Sequence, residues 1–396
     1  MSEIEFPAGI SAQQEIDLYR AEIGAIDEKI LTLLNQRFVN AKHIGLVKKR
    51  ISAQVFQPSR EHQLVRDLCR RNEGPLDSVH VRSIWGEIFR ASRYIQNAQP
   101  VAYLGPIGTY TQDAMLAHFG VAHESLPCET IDAVFTAVMD GRAGYGVVPI
   151  ENSTEGTINR ALDLVFEKGL QISGEVVLPV SHCLMSQSGT ASGIECVIGH
   201  EQALAQCRRW LDTHFPGVQR RAVSSNAQAA KLAAESAGNA AIGSRRAAGH
   251  YGLHIVAASI QDEHCNSTRF YIVGRDQPAP SGDDRTLLCV ELNNSPGALL
   301  RLLGPAAERS IPVTRIDSRP LKSELWAYRF FLELPRHRHD PDLASALQEM
   351  NQVANSLVVL GSYPTALNIS DTGFAADLEN LNLEVESCIR TTVLNG

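Results

Sequence analysis

The chain has 396 residues, enough for two or three domains with cores of their own. Its formal net charge is −8 and no lysine–arginine cluster is interleaved with aromatics, which argues against a nucleic-acid partner. The acidic start MSEIEFPAGISAQQEID, and the lack of any apolar run long enough to span a bilayer, point to a cytoplasmic protein with no membrane partner. Eight scattered cysteines form no CxxC pair, so reduced thiols are expected rather than zinc or disulfides. His337 and His339 form an H-x-H pair in the basic turn PRHRHDPD, which reads as a solvated loop and not a metal site.

From about Gln14 to Ile51 there is no proline, and Ile16, Tyr19, Ile23, Ile26, Ile30 and Leu33 recur at helical spacing. The spacing predicts one helix about 55 Å long, more than a small monomeric domain holds, and so a partner helix from another subunit. Arg20, Arg37 and Lys48 fall on its apolar side without acidic residues to pair with, and a bound dianion would offset that cost. A proline-marked loop leads to a short helix near Arg60 and Glu61. A third helix, from about Val79 to Gln96, places Ser92 and Gln96 on its apolar side.

The arrangement YRAEIGAIDEKILTLLNQR, Lys48, PSRE and ASRYIQ resembles the all-helical chorismate mutase family. That resemblance implies an intertwined dimer binding chorismate through Arg20, Arg37, Lys48, Arg60, Glu61, Ser92 and Gln96, with Lys48 and Gln96 at the ether oxygen and Arg20 and Arg37 on the carboxylates. Many relatives carry an acidic residue where this chain has Gln57.

IQNAQP reads as a linker, after which five apolar runs each end in glycine, hydroxyl or amide residues and pass into a helical pattern. Such repetition implies α/β architecture with several helix N-termini aimed at one crevice. The most legible of the five is GYGVVPIENSTEGTINRALDLV, where a buried strand is expected to stop at Pro149 or Ile150. Glu151, Asn152, Ser153 and Thr154 then fall at a strand-to-helix turn suited to an anion, or Ser153 or Thr154 simply caps the helix. Thr109, Thr111, Ser225, Ser244 and Arg245 belong to the other turns, and Ser225 is expected to be a cap. Near the end of the region EHCN precedes the strand STRFYIVG, in which Arg269 is a candidate carboxylate clamp beside Thr268.

In this order, GPIGTYT, VVPIENSTEGTINRALDLV, AAIGSRRAA with YGL, and STRF look like prephenate dehydratase, over nearly all of residues 101–276. The resemblance implies a two-lobed, periplasmic-binding-protein-like fold in which Thr268 is catalytic. Prephenate is then bound by Thr109, Glu151, Asn152, Gln206, Ser244 and Arg269. Gly199 and Glu201 replace the serine and proline usual in relatives, and Ser244 or water is expected to compensate. Beyond the linker DQPAPSGDDR the pattern strand–helix–strand–strand–helix–strand predicts an α+β, ferredoxin-like unit. SPGAL and DSRP resemble a phenylalanine-sensing ACT domain, implying that Gly297, Ala298, Leu299, Asp317, Ser318, Arg319 and Pro320 bind phenylalanine between two subunits; relatives usually carry glutamate at Asp317.

The expected organisation is therefore a helical chorismate mutase domain at 1–99, a dehydratase domain at 100–276, an ACT domain at 284–365 and a tail of unassigned role at 366–396. A pericyclic rearrangement of chorismate followed by loss of carbon dioxide and hydroxide from prephenate needs no metal, nucleotide or redox cofactor. Phenylalanine would be the feedback inhibitor, and the protein a homodimer or larger homo-oligomer. A prephenate dehydrogenase is the nearest rival, but GPIGTY is not a G-x-G-x-x-G fingerprint. A solute-binding module without chemistry is the other.

Overall fold

A computed structural model describes residues 11–51, 58–96, 99–120, 122–153, 156–263, 266–293, 295–320 and 328–366. Gln57, Thr154 and the tail beyond Ala366 lie outside the described residues.

Three helices come first: α1 (Ala12–Arg50), α2 (Pro58–Arg71) and α3 (Ser78–Gln96). Ser11 and Gln14 form a reciprocal capping box that starts α1. Its apolar stripe is not covered by the described residues: Ile16, Ile23, Ile26, Ile30 and Leu33 are each 45–63% exposed. Only Ala41 and Gly45 are buried on α1. Among the described residues, α1 and the end of α3 from Ala91 form one compact unit, and the remaining residues form the second. This division cuts across the expected helical domain 1–99, since α2 and the start of α3 group with the α/β region. No helix among the described residues is long and apolar enough to cross a membrane.

The second unit continues with β1 (Val101–Leu104), α4 (Tyr110–Phe119), β2 (Ser125–Cys128), α5 (Ile131–Met139), β3 (Tyr145–Asn152), β4 (Gly156–Thr157), α6 (Asn159–Lys168) and β5 (Gln171–Pro179). The chain then crosses to β6 (Cys183–Ser186), β7 (Cys196–His200), α7 (Glu201–Gln206), α8 (Arg208–His214), β8 (Gln219–Val223), α9 (Asn226–Ala234), β9 (Asn239–Gly243), α10 (Arg245–Tyr251) and β10 (His254–Ala257). It returns to the first sheet as β11 (Ser267–Gly274). One sheet runs β2-β1-β3-β11-β5, with β4 paired to β3, and the other β10-β6-β9-β7-β8. The two crossovers lie side by side, the Ile260 N–H donating to the His182 carbonyl at 2.9 Å. The observed topology is two α/β lobes joined by two adjacent segments of chain.

The last part comprises β12 (Asp284–Leu292), α11 (Ala298–Glu308), β13 (Arg315–Pro320), β14 (Tyr328–Pro335), α12 (Pro341–Val353) and β15 (Ser356–Pro364). Its antiparallel sheet, β13-β14-β12-β15, has the expected ferredoxin-like order. Alternation along β12 gives this sheet two buried faces. Leu288 and Val290 pack under the helices with Leu302 and Leu343, whereas Leu287 and Cys289 share a core with Val148, Ile172 and Tyr271 of the first lobe. The sheets approach so closely that a Cβ on Gly361 would sit 2.5 Å from the Ile172 carbonyl oxygen, so only glycine fits there. The H-x-H turn is not the solvated loop expected: His337 is buried, with Nε2 3.1 Å from the Pro278 carbonyl, because the linker folds over it.

Candidate functional site

The buried core of α1 sets the first cluster. Arg37, Ala41, Gly45 and Lys48 follow one another at helical spacing, and a Cβ on Gly45 would meet Gln96 Cα at 2.8 Å. This close approach brings Arg37 to Ser92, whose hydroxyl accepts from the Arg37 guanidinium. Gln96 donates to the Ser92 carbonyl at 3.2 Å, and its Oε1 is buried with no partner among the described residues. Arg20 departs from the expectation of an unpaired cation. It reaches Asp17 at 3.4 Å, its side chain is 70% exposed, and it lies about 26 Å before Arg37 along the helix. Arg60 and Glu61 open α2, in the second unit.

The second cluster depends on one irregularity. Strand β3 does not stop at Pro149 but runs to Asn152, and its pairing with β11 shifts so that Phe270 faces Pro149 and Arg269 faces Glu151. Ile150 is the extra residue, and a bulge is where a residue without an N–H can sit within a sheet. The extra residue exchanges the faces of everything after it. Asn152 consequently shares a face with Thr268, and Glu151 shares the opposite face with Arg269. The polar stretch is not a helix start: Ile158 precedes α6 without a side-chain cap, and Ser153 instead pairs with Ser267.

On the Thr268 face lies a chain of neutral polar groups. Asn152 Nδ2 donates to Thr268 Oγ1 at 2.9 Å and to Asn266 Oδ1 at 3.1 Å. Asn266 Nδ2 donates to Gln206 Oε1 at 3.1 Å, and the same oxygen lies 2.9 Å from His182 Nε2. Tyr110 closes the chain, its phenol 2.8 Å from His182 Nδ1 and 2.9 Å from the Ser181 carbonyl. Burial lowers the His182 pKa and raises that of Tyr110 well above its usual value, so both are neutral near pH 7. Thr268 itself is 8% exposed. His182, Asn266 and Tyr110 were not predicted. The available signal was a histidine inside the apolar run VSHCL and an asparagine just ahead of a buried strand.

On the opposite face the expected clamp residue, Arg269, is held by carboxylates of the protein itself. Arg269 donates to Glu175 at 2.7 Å and contacts Glu333, while Arg285 donates to Glu333 at 2.7 Å. The Tyr271 and Tyr363 hydroxyls add bonds of 3.3 and 3.2 Å to Glu333. Burial alone would raise the Glu333 carboxyl, but the two guanidiniums override it and hold it at about 2. Arg269 is therefore committed to two buried carboxylates, on the side of the sheet away from Thr268. Glu151 likewise faces Arg315, at 3.3 Å, and not the Thr268 cluster.

Thr109, Ser225 and Ser244, at the remaining turns, are caps, whereas Thr111 is buried within α4. Thr109 accepts from Gln112 N and donates to Leu104 O at 3.2 Å; Ser225 accepts from Gln228 N, as expected; Ser244 accepts from Ala247 N and lies 3.5 Å from Gly108 O. The expected phenylalanine residues divide between two faces. Gly297 takes the left-handed backbone that starts α11, and Ser318 pairs with Phe330 on the helix-covered side. Asp317 and Arg319 point the other way: Asp317 accepts from Thr157 at 2.9 Å and from Arg315 at 2.6 Å, and Arg319 lies over the Phe331 ring.

Comparisons with known proteins place two families in succession along the chain. Residues 101–278 match the family model described as prephenate dehydratase, and residues 19–97 that described as chorismate mutase type II. A bifunctional chorismate mutase/prephenate dehydratase of Neisseria gonorrhoeae is 43% identical over 352 residues, covering 88% of this chain and 97% of that protein. A solved prephenate dehydratase from Arthrobacter aurescens, in complex with L-Phe, is 31% identical with a TM-score of 0.62 over 74% of this chain and 99% of its own. A structure described as a quorum quenching acylase, GqqA, is 32% identical with a TM-score of 0.64, covering 68% of this chain and 98% of its own.

Proposed function

The chain belongs to the bifunctional chorismate mutase/prephenate dehydratase family, an isomerase joined to a lyase, and we propose how its residues divide that work. In the mutase, Arg37 and Lys48 hold chorismate as an anion and, with Gln96, stabilise charge on the ether oxygen during the pericyclic step. The Arg37–Ser92 contact on the Ala41–Gly45 seam supports this placement. Arg20 lies too far along the same helix to join that cluster, and the exposed apolar stripe calls for a second α1. The protein is accordingly a homodimer in which Arg20 serves the neighbouring site, while Arg60 and Glu61 are assigned to chorismate by family resemblance. The enzyme works in the cytoplasm.

The single observation that carries the dehydratase assignment is the Asn152–Thr268 hydrogen bond. Thr268 accepts from the amide, and its own proton has no acceptor among the described residues. As the bond from the ring to the carboxylate breaks, its electron pair enters the ring and the 4-hydroxyl departs. A hydrogen bond from Thr268 supports that departure, the departing hydroxide takes up a proton from solvent, and the products are phenylpyruvate, carbon dioxide and water. Asn152 and Gln206 form the neutral wall of this site. The acylase name belongs to a structure matching two-thirds of the chain, whereas the relative spanning both regions carries the mutase and dehydratase names.

The C-terminal unit serves as an ACT domain that binds L-phenylalanine as feedback inhibitor. Its ferredoxin-like topology and the L-Phe complex of a similar dehydratase support this. Gly297, Ala298, Leu299 and Ser318 contact the ligand. Asp317 and Arg315 connect the sensor to Thr157 and Glu151, the residue beside Asn152.

Thr268→Ala tests the central assignment. Prephenate turnover is expected to fall by about a thousandfold while chorismate turnover is retained. Unchanged phenylpyruvate formation would refute it.

A further inference from the structure

The hydrogen bonds around Thr268 have a direction, and direction decides whether the threonine can donate. An amide presents an acceptor at one end and a donor at the other, so each group in a chain of amides fixes the next. Here Gln206 Oε1 faces both His182 Nε2 and Asn266 Nδ2, Asn266 Oδ1 faces Asn152 Nδ2, and Asn152 Nδ2 faces Thr268 Oγ1. With the imidazole proton on Nε2 each of these contacts from His182 to Thr268 joins one donor to one acceptor, the Tyr110 phenol gives its one proton to His182 Nδ1 in place of the Ser181 carbonyl, and the Thr268 proton is left for the cleft. With every amide turned over and the imidazole proton on Nδ1 the chain would also close, but Thr268 would then donate to Asn152 and have no proton to offer substrate.

Resting on the dehydratase assignment above, we propose that His182 and Asn266 are positioning residues. The Nε2–H of His182 orients Gln206, Gln206 orients Asn266, and Asn266 holds Asn152 so that its amide donates to Thr268. Asn266 and His182 are 3% and 2% exposed, so water does not compete for these bonds. Neutral amides also suit a dianionic substrate, since they align a hydroxyl without adding charge beside it.

Two isosteric substitutions that add the same charge separate this role from simple packing. In Asn152→Asp the carboxylate cannot donate and takes the Thr268 proton, so kcat for prephenate is expected to fall by about a hundredfold or more. In Asn266→Asp the carboxylate still accepts from Asn152, and kcat is expected to fall by less than about tenfold. His182→Leu removes the orienting donor. It is expected to lower kcat by about tenfold with KM changed by less than about threefold, and His182→Gln, which can again donate to Gln206, to recover most of it. Equal losses in the two aspartate variants, a KM rise in His182→Leu that accounts for its loss, or no recovery in His182→Gln would each overturn the proposal. Failure of the unsubstituted protein to consume prephenate would instead remove the dehydratase assignment. Chorismate turnover, measured alongside, reports that each variant folds.

Discussion

Strand β11 carries two neighbouring residues whose surroundings could hardly differ more. Thr268 faces neutral groups, each holding the next by one hydrogen bond, while Arg269 faces two buried carboxylates, a second arginine and two tyrosines. Neutral amides fix the direction of a hydroxyl at modest cost in burial. Buried charges bind strongly only to one another, and here they tie β5 and β11 of the first lobe to β12 and β14 of the C-terminal sheet. One face of the strand suits chemistry and the other suits coupling.

The largest expected effect comes from breaking the charged face. Glu333→Ala leaves Arg269 and Arg285 without a carboxylate they share, and a loss of roughly 3–5 kcal/mol in stability is expected by denaturant unfolding. A loss below about 1 kcal/mol would show that the cluster is not holding the sheets together. Arg315→Ala cuts the contact between β13 and Glu151 without touching the Thr268 face. It is expected to weaken phenylalanine inhibition by about tenfold while the uninhibited rate stays close to that of the parent, measured as the inhibitor concentration halving prephenate turnover. Retained inhibition would mean that the signal takes another route.

Acid should separate the two faces as well. Because the folded-state pKa of Glu333 is depressed to about 2 from the usual 4.5, its contribution is present above pH 4.5 and is lost as pH falls towards 2. Thermal melts of the parent should therefore decline across that window, and Glu333→Gln should flatten the decline. The smallest effect belongs to a cap. Thr109→Ala is expected to cost about 1 kcal/mol of stability and to leave KM for prephenate within about twofold, since both hydrogen-bonding functions of the hydroxyl serve the start of α4.

Much of this division was legible in the sequence and part was not. Proline-free periodicity located α1 within two residues at its start and one at its end, and the strand–helix order predicted the C-terminal sheet. Alternation in STRF already places Thr268 and Arg269 on opposite faces, since successive strand residues always diverge. Their joint assignment to one ligand rested on adjacency in sequence and on resemblance, and that physical signal argued against it. The bulge at Ile150 carries no comparable mark. Pro149 suggests a strand end as readily as an irregularity, so the exchange of Glu151 and Asn152 became visible only with the pairing register. Long-range partners were equally hidden: nothing local to Arg269 points to Glu333, 64 residues later. His182 and Asn266 are single polar residues at crossovers, and their role appears only when the two crossovers lie together.

The steady-state KM for prephenate of Arg269→Lys tests the two-faced strand most directly. Lysine keeps the charge among Glu175 and Glu333, so the account predicts a lower melting temperature with KM within about twofold of the parent. A rise in KM of about tenfold or more, in a variant that still turns over chorismate, would place Arg269 on the substrate and contradict the account.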